Sequence, residues 1–242
     1  MSYFKNFPTT FYSFGNKESV EVFQNLSLYV DIIDQLKDNY AFYEYFYIQE
    51  NERPDQMSMR LYGTPEFHWT FYLMNDTIRE RGWPLSNNDI IAKCQKDYPH
   101  LVLTTRDSLT GVFKPGFLVR GKTSNATGII VHRSLDLGQL HLEDIEGTFI
   151  PGEILNCVNE QNLTDNINLH SVGEEYLSAH HYENAAGETV DIDPYVGPGA
   201  LLTEVTYLDR YIRLNNELKQ IKVLKSSSIN DVTLAYQEAL KS

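Results

Sequence analysis

The chain has 242 residues, enough for one large domain or two small ones, and its 42% hydrophobic and 22% charged residues are ordinary for a globular protein. A formal net charge of -13, from 33 acidic and 20 basic residues, disfavours direct binding to nucleic acid or anionic lipid because like charges repel. The cysteines Cys94 and Cys157 lie far apart without a C-x-x-C partner, so we expect neither a disulfide framework nor a zinc site.

The hydropathy of the sequence predicts neither a membrane span nor an export signal. No apolar run approaches the roughly 18 residues that cross a bilayer. The N-terminal sequence MSYFKNFPTTFYSFGN lacks the basic start and apolar block of a signal peptide. We therefore expect the protein to stay where it is made or to leave as part of a larger particle.

Aromatic residues are unusually frequent, with 16 Tyr and 12 Phe against 2 Trp. Tyrosine joins a large apolar ring to a polar tip, which suits surfaces that end up against another protein. A tyrosine-rich core is the alternative interpretation, and composition alone does not separate the two.

The first predicted region, residues 1–40, is an N-terminal arm and packing segment. It contains aromatic side chains without a helical or strand period at Phe4, Phe7, Phe11, Tyr12 and Phe14. Such a segment cannot form a core alone, so we predict that it lies across this protein or a neighbouring one. The apolar stretch 20–36 is compatible with either a strand or a helix.

Residues 41–100 predict a strand followed by helices. The aromatic run AFYEYFYIQ (41–49) is typical of a strand because β-branched and aromatic side chains suit a pleated surface. Capping residues, first-turn prolines and a terminating glycine then delimit three predicted helices, at about 54–62, 64–75 and 86–99.

Glycines and short apolar runs dominate residues 111–158. The segment FKPGFLV (113–119) is echoed by FIPGEIL (149–155), and two further short apolar runs lie between them. Several short strands with glycine turns predict a small SH3-like or similar β-barrel inserted in the chain. The repeat indicates two equivalent strand beginnings.

The last two regions differ in regularity. Residues 159–202 are polar and contain glycine and proline, which predicts an irregular linker. Residues 203–242 predict a helix-strand-helix block, with the strand at about 220–225 and a last helix capped by Ser228.

Two segments carry a family resemblance: YIQENERPDQMSMRLYGTPEFHWTFYLMN (47–75) and NNELKQIKVLKSSSINDV (215–232). The first resembles a LysM fold, in which a strand, two short helices and a returning strand follow one another. Together, the segments resemble the LysM-containing baseplate wedge subunits of T-even-type contractile-tailed phages. The marks of this resemblance are Arg53, Pro54, Tyr62, Gly63, Pro65, Trp69, Asn75, Asn216, Glu217, Gln220, Ile221 and Lys222.

The resemblance implies a structural role without a cofactor: a late-joining wedge protein that clamps neighbouring wedges so that six close around the hub. It implies assembly in the host cytoplasm, a place in the tail baseplate of the virion, and other wedge subunits as partners, in multiple copies. The chain departs from the short form of the family by carrying the glycine-rich barrel. The expected partner-interface residues are Phe4, Phe7, Phe11, Tyr12, Phe14, Tyr211, Asn216, Glu217, Lys219, Gln220, Ile221 and Lys222.

LysM modules elsewhere bind peptidoglycan or chitin in a shallow groove, which suggests an alternative function. The LysM-like groove here would consist of Arg53, Pro54, Tyr62, Gly63, Pro65, Phe67, Trp69 and Asn75. The alternative to a protein-protein role for the module is therefore a peptidoglycan-binding tail component. Such a component could act alone or together with wall degradation. A soluble phage-encoded scaffold that is absent from the virion is a third hypothesis.

Catalytic and metal-binding patterns are weak in this sequence. His180 and His181 lie near the D-x-D of Asp191 and Asp193, but neighbours on a strand point to opposite sides, so a turn-bound, solvated pair is the preferred interpretation. The stretch GKTSNATG (121–128) lacks the spacing of a phosphate loop and predicts a turn. We expect no enzyme, and an α+β fold with a LysM-like module, an inserted SH3-like barrel and extended terminal segments.

Overall fold

The computed structural model describes residues 8–13, 20–24, 36–158 and 164–239. The chain forms two compact units, of which the first combines Met1–Ser86 with Leu214–Ser242 and the second is Asn87–Arg213. The first unit is therefore assembled from two segments that lie far apart in sequence.

The elements up to the second unit begin with a hairpin and continue with a strand and short helices. They are β1 (Thr9–Ser13), β2 (Val20–Gln24), β3 (Tyr43–Tyr47), α1 (Pro54–Tyr62), a 3-10 turn (Pro65–Phe67), α2 (Trp69–Met74) and α3 (Asp76–Arg81). The remaining elements are α4 (Asn87–Asp97), β4 (Leu101–Thr105), β5 (Leu118–Gly121), β6 (Thr127–Ser134), β7 (Gln139–Glu146), β8 (Ile154–Val158), β9 (Thr164–Glu174), a 3-10 turn (Glu175–Leu177), β10 (Ala179–Glu183), β11 (Thr189–Val190), β12 (Thr203–Thr206), α5 (Tyr207–Glu217), β13 (Gln220–Leu224) and α6 (Ile229–Ala239).

The first unit is organised around an antiparallel ribbon in which β3 pairs with β13. The side chains of one face pack against the helices in a buried cluster that includes Ile48, Met57, Phe71, Ile221 and Val223. A second buried cluster joins the ribbon to α2 and α6 and includes Tyr43, Met74, Leu224, Ile229 and Tyr236. These clusters bring the C-terminal segment into the same core as the helices near the N-terminus.

The predicted helix 54–62 is confirmed, and its boundaries follow from local chemistry. Pro54 lies at the first helical position, where a missing N–H costs nothing. The backbone N–H of Arg53 donates to Gln56 Oε1 at 3.0 Å, as in a capping box. Gly63 ends the helix with φ 72°, a left-handed conformation that glycine adopts without steric cost.

The predicted helix 64–75 is present in two parts. A 3-10 turn at Pro65–Phe67 precedes α2, and Asn75, with an extended backbone (φ -133°, ψ 103°), separates α2 from α3. The sequence patterns did not predict α3. The predicted helix at about 86–99 is confirmed as α4.

The hairpin β1–β2 lies in the predicted N-terminal arm. Its strands pair in register from Thr9–Gln24 to Ser13–Val20. The start of the ambiguous stretch 20–36 is therefore a strand in the described residues. Phe4, Phe7 and Phe14 lie outside the described residues.

The second unit contains a closed antiparallel barrel with the strand order β4-β7-β6-β5-β8-β9. The predicted range 111–158 holds the four central strands in sequence, whereas β4 and β9 lie outside it and complete the closure. The barrel is filled by buried apolar side chains, among them Leu103, Phe113, Val119, Ile130, Leu140, Leu142, Phe149, Leu155 and Leu169.

The internal repeat becomes two matching turns in the barrel. Gly116 and Gly152 both have positive φ, 89° and 88°. In both turns the glycine N–H donates to a carbonyl of another segment at 2.7 Å, that of Ile130 or of Leu169. The strands that follow these turns, β5 and β8, pair with each other. The predicted equivalence of the two strand beginnings is confirmed.

The region 159–202 differs from the irregular linker that the sequence predicts. It contains β9, which spans Thr164–Glu174 and pairs with both β8 and β4. It also contains β10 and β11, which form a three-stranded sheet with β12 in the order β11-β10-β12. The prediction was wrong because the polar residues of β9 alternate with apolar residues such as Ile167 and Leu169, which face the barrel core. The segment as a whole therefore reads as polar although it is a strand.

Candidate functional site

One face of the β3–β13 ribbon presents tyrosines to solvent. Because side chains alternate along a strand, Tyr43, Tyr45 and Tyr47 share this face. Tyr43 is buried, whereas Tyr45 and Tyr47 are 54% and 59% exposed, and the preceding Tyr40 is 72% exposed. We call Tyr40, Tyr45 and Tyr47 the tyrosine face. Adjacent exposed aromatics of this size are typical of protein-protein contact surfaces.

The opposite face of the ribbon fixes its orientation. Ile48, Ile221 and Val223 are almost fully buried against the helices of the first unit. A one-residue slip of either strand would exchange the faces and place these side chains in water. The apolar residues on one side therefore hold the tyrosine face outward.

Three lysines of the C-terminal segment, Lys219, Lys222 and Lys225, contact other residues of the same chain. Lys219 Nζ lies 3.5 Å from Glu50 Oε2. Lys222 Nζ donates to the carbonyl of Lys37 at 2.8 Å and lies 4.7 Å from the ring centroid of Tyr43. Lys225 Nζ donates to the carbonyl of Tyr40 at 2.9 Å. Lys222 and Lys225 thus bind the segment 37–40, which precedes β3, to the β13 region.

Asn75 holds the outer edge of β13. Its Oδ1 accepts from the backbone N–H of Lys222 at 2.8 Å, and its Nδ2 donates to the Lys222 carbonyl at 2.7 Å. The same Nδ2 donates to the Phe71 carbonyl at 2.8 Å. The Asn75 carboxamide therefore supplies the hydrogen bonds that a neighbouring strand would form with Lys222.

Two tyrosine hydroxyls stay protonated over the ordinary pH range. Burial raises the pKa of Tyr62 well above its usual value, with a further rise from the charge of Glu44. The Tyr62 hydroxyl donates to the Leu224 carbonyl at 2.8 Å, again at the outer edge of β13. Burial and the neighbouring Tyr40 raise the pKa of Tyr43 to about 12.

The predicted LysM-like groove residues lie mostly in contacts within the chain. The Tyr62 ring meets Phe67 edge to face at 5.7 Å between centroids, and the Trp69 ring lies 5.6 Å from that of Tyr236. Arg53 is exposed and forms an ion pair with Asp55 at 3.0 Å. Pro54, Gly63, Pro65 and Asn75 shape the helix ends and the β13 edge.

The predicted partner-interface residues are distributed over several elements. Phe11, which is 73% exposed, and Tyr12 lie on β1, and Asn216 and Glu217 lie at the end of α5. The Tyr211 hydroxyl donates to Asp97 Oδ2 at 2.7 Å. Within and beside β13, Gln220 is exposed, Lys219 and Lys222 bond inside the chain, and Ile221 belongs to the core.

The tyrosine face is a candidate contact surface that sequence reasoning missed. The aromatic run 41–49 predicts a strand, and a strand has a period of two that places Tyr43, Tyr45 and Tyr47 on one side. That alternation is the signal that could have identified the shared face. Only the structure separates the buried Tyr43 from the exposed tyrosines beside it.

The adjacent histidines are not the turn-bound, solvated pair that the sequence predicts, because both lie on β10 and are half-buried. Nδ1 of His180 and Nδ1 of His181 lie 2.9 Å apart, and His181 Nε2 lies 3.0 Å from Glu183 Oε1. A register shift between Ala179 and His181 breaks the strand alternation and allows this contact. In the described part of the chain, no group of three or more His, Cys, Asp or Glu side chains converges as a metal site.

The predicted turn in GKTSNATG is confirmed between β5 and β6, and a carboxylate of the same chain occupies it. Glu153 Oε2 accepts from the backbone N–H groups of Thr123 and Ser124 at 3.1 and 2.9 Å. Glu153 Oε1 accepts from the Ile150 N–H at 2.8 Å. Burial opposes ionisation, but these hydrogen bonds outweigh it and lower the pKa of Glu153.

Among the helices that the structure describes, none has the length and apolar character needed to cross a membrane.

Comparison with known families gives a match for the N-terminal part of the chain. Residues 7–101 match the family model described as base plate wedge protein 53. No match is found among curated proteins. The matched range contains the hairpin, β3, the tyrosine face and α1–α4, and it stops at the first residue of β4. The similarity to a baseplate wedge protein therefore covers less than half of the chain.

Proposed function

We propose that this protein is a wedge subunit that clamps neighbouring wedges of a contractile-tail baseplate around the hub. The observation that carries this proposal is the family match over residues 7–101, the part of the chain that presents the tyrosine face and the hairpin β1–β2. Function then resides in surfaces that other subunits cover. Assembly takes place in the host cytoplasm, and the virion carries the protein in multiple copies.

The arrangement of the first unit supports a LysM-like module as the core of the clamp. A strand (β3), helices α1 and α2 and a returning antiparallel strand (β13) follow one another in chain order. In this proposal the barrel is an SH3-like insertion in the chain between helix α4 and the returning strand β13. In this proposal the module serves protein contacts.

The hairpin supplies a second contact surface. Phe11, Val20 and Val22 share one of its faces and are exposed, while Tyr12 and Phe23 lie on the other face and are also exposed. An isolated two-stranded hairpin is marginally stable in water. Burial by a neighbouring subunit would contribute about 25 cal/mol per Å² of apolar surface, and six-fold repetition would multiply modest contacts.

Deletion of residues 1–16 tests the clamp. The shortened chain should keep the β3–β13 core but weaken association between wedges, so that baseplates assembled with it contain fewer closed hexamers in electron micrographs. The matched control is the exposed substitution Glu143→Gln in the barrel, which should leave assembly unchanged. Normal hexamers with the shortened chain would contradict the role of the arm.

Two further measurements separate the alternatives. Mass spectrometry of purified particles should find the chain in the tail, whereas absence from the virion would favour a transient scaffold. Sedimentation with insoluble peptidoglycan should leave the chain in solution. Retention on peptidoglycan would instead support the glycan-binding alternative.

A further inference from the structure

The ladder between β3 and β13 determines which backbone groups of β3 point outward. Ile48 N–H donates to the Lys219 carbonyl, and Lys225 N–H donates to the carbonyl of Phe42, both at 2.9 Å. In an antiparallel pair, bonded and non-bonded residues alternate. The amides and carbonyls of Tyr45 and Tyr47 therefore point away from β13.

The two edges of the ribbon differ in the hydrogen bonding of their outward backbone groups. Three of the outward groups of β13 are bonded inside the chain: Asn75 bonds both backbone groups of Lys222, and the Tyr62 hydroxyl donates to the Leu224 carbonyl. In the described part of the chain, no strand or side chain bonds the outward groups of Tyr45 and Tyr47. An unpaired, exposed strand edge is a template for a strand of another chain.

The side chains along this edge specify what such a strand would carry. Tyr45 and Tyr47 expose aromatic surface on one face. Glu44 is exposed on the other face and forms no ion pair with a described residue. A cationic side chain beside Glu44 and an apolar or aromatic one beside the tyrosines would complement both faces.

The charge of the chain argues against a second copy as the occupant. Each copy carries a formal net charge of -13, so two copies repel each other. Antiparallel self-pairing about Tyr45 would also oppose Glu44 to Phe46, which leaves Glu44 without a cation. A basic strand from another protein satisfies the backbone edge, the aromatic face and the charge together.

We propose that the free edge of β3 receives a strand from a neighbouring protein, with basic side chains on the Glu44 side and apolar or aromatic side chains on the side of Tyr45 and Tyr47. The inference rests on the proposed function only for the source of the strand, an adjoining baseplate subunit. The strand becomes the third of the sheet and is held by main-chain hydrogen bonds to β3.

A peptide titration of the full chain tests the edge without requiring phage assembly. The probes are the acetylated and amidated peptides TVKYKVT and TVEYEVT, and the readout is the NMR signals of the Tyr45 and Tyr47 amides. The basic peptide should shift these signals at low salt and bind about tenfold more tightly than the acidic one. Equal binding of the two peptides, or no shift with either, would overturn the proposal.

Paired substitutions at one position isolate the backbone contribution. Tyr45→Pro removes an outward N–H without removing a bond to β13, so peptide affinity should fall about tenfold. Tyr45→Thr loses the ring but keeps the N–H, and the expected loss is about threefold. Near-ultraviolet circular dichroism of both variants checks the fold. Equal affinity of the two variants contradicts pairing at this edge.

Charge reversal provides a readout should Tyr45→Pro unfold the chain. Glu44→Lys should reverse the preference so that the acidic peptide binds more tightly, and an unchanged preference contradicts the assigned charge pattern. Dimers of the chain alone in sedimentation, lost in Tyr45→Pro or Glu44→Lys, would identify a second copy as the occupant and overturn the proposal. Mass spectrometry of purified tails tests the presence of the chain separately. The proposed clamp function and the proposed strand binding at β3 can therefore be contradicted independently.

Discussion

Asn75 shows how one side chain closes a strand edge. Its carboxamide bonds both backbone groups of Lys222 and also the Phe71 carbonyl, so it connects α2 to β13. Alanine at this position would leave partly buried backbone groups without partners, which costs more than the bonds themselves contribute. The residue is thus a structural link, although sequence resemblance placed it in a glycan groove.

Asn75→Ala should lower the free energy of unfolding by at least about 3 kcal/mol, because three hydrogen bonds of about 1 kcal/mol each are lost and their backbone partners are left unpaired. Urea unfolding followed by circular dichroism measures the change. Asn216→Ala is the matched control, since Asn216 is exposed and its side chain forms no hydrogen bond with a described residue. Equal stability of the two variants would show that Asn75 does not hold the edge.

Glu153 should make stability depend on pH. Burial acts against its charge, but the N–H donors of Ser124, Ile150 and Thr123 lower its pKa in the folded chain. A carboxyl whose folded pKa is depressed stabilises the fold above its unfolded pKa, and that stability is lost as pH falls through the folded pKa. The stabilisation is therefore complete at neutral pH and fades below about pH 4.5.

Glu153→Gln should be less stable than the natural chain at pH 7 by about 1.5–3 kcal/mol, the range for hydrogen bonds to a charged group. The difference should shrink as the pH is lowered from about 4.5 towards about 2.5 in urea-unfolding experiments. Glu143→Gln, an exposed substitution on β7, serves as the control and should show little difference at any pH. A pH-independent difference for Glu153→Gln would rule out the charge as its cause.

Among the secondary-structure elements, the repeated turns show how local sequence specifies a barrel. Each copy of the repeat supplies a proline, a glycine with positive φ and a strand that follows directly. The repeat was readable because turn chemistry is local. The pairing of β4 with β9, which closes the barrel, joins residues about 70 positions apart and has no local signal.

The two turn glycines give a matched prediction. Gly116→Ala and Gly152→Ala should each destabilise the chain by about 1–2 kcal/mol, because a Cβ strains a backbone at positive φ although no other atom lies within 4 Å of it. Gly111→Ala should be nearly neutral, since its φ lies outside the left-handed region and the nearest atom, Lys114 Cε, is 3.8 Å away. Thermal unfolding measures all three. Unequal effects at Gly116 and Gly152 would contradict the equivalence of the turns.

For the molecule as a whole, the discontinuous first unit is the main feature of the chain's organisation. Leu85 N–H donates to Asn215 Oδ1 at 2.8 Å, and Asn215 Nδ2 donates to the Leu85 carbonyl at 3.0 Å. The buried clusters of this unit contain no residue from 87–213. The two segments of the first unit therefore meet at a point that a short linker can span.

A chain in which a short Gly/Ser linker replaces residues 87–213 should fold with the core of the first unit intact. The reason is that the two core clusters and the β3–β13 ribbon remain complete. Two-dimensional NMR should show dispersed amide signals, with those of Tyr45 and Tyr47 close to their positions in the full chain. A collapsed spectrum would show that the second unit is required for folding.

Features with local causes could be read from the amino-acid sequence. Pro54 and Gly63 set the limits of α1, aromatic residues specified β3, and the two proline-glycine turns marked the barrel. The net charge of -13 likewise follows from composition alone. These properties depend on neighbouring residues or on residue counts, so they are legible without knowledge of the fold.

The surfaces that remain open follow from the tertiary fold and could not be read in this way. Asn75 bonds the outward groups of Lys222 on one edge of the ribbon across 147 positions, whereas the outward groups of Tyr45 and Tyr47 on the other edge have no partner among the described residues. Burial of Tyr43 beside two exposed tyrosines follows from packing against Leu224 and α6. Long-range pairing is set by the sum of many weak contacts, which no single stretch of sequence contains.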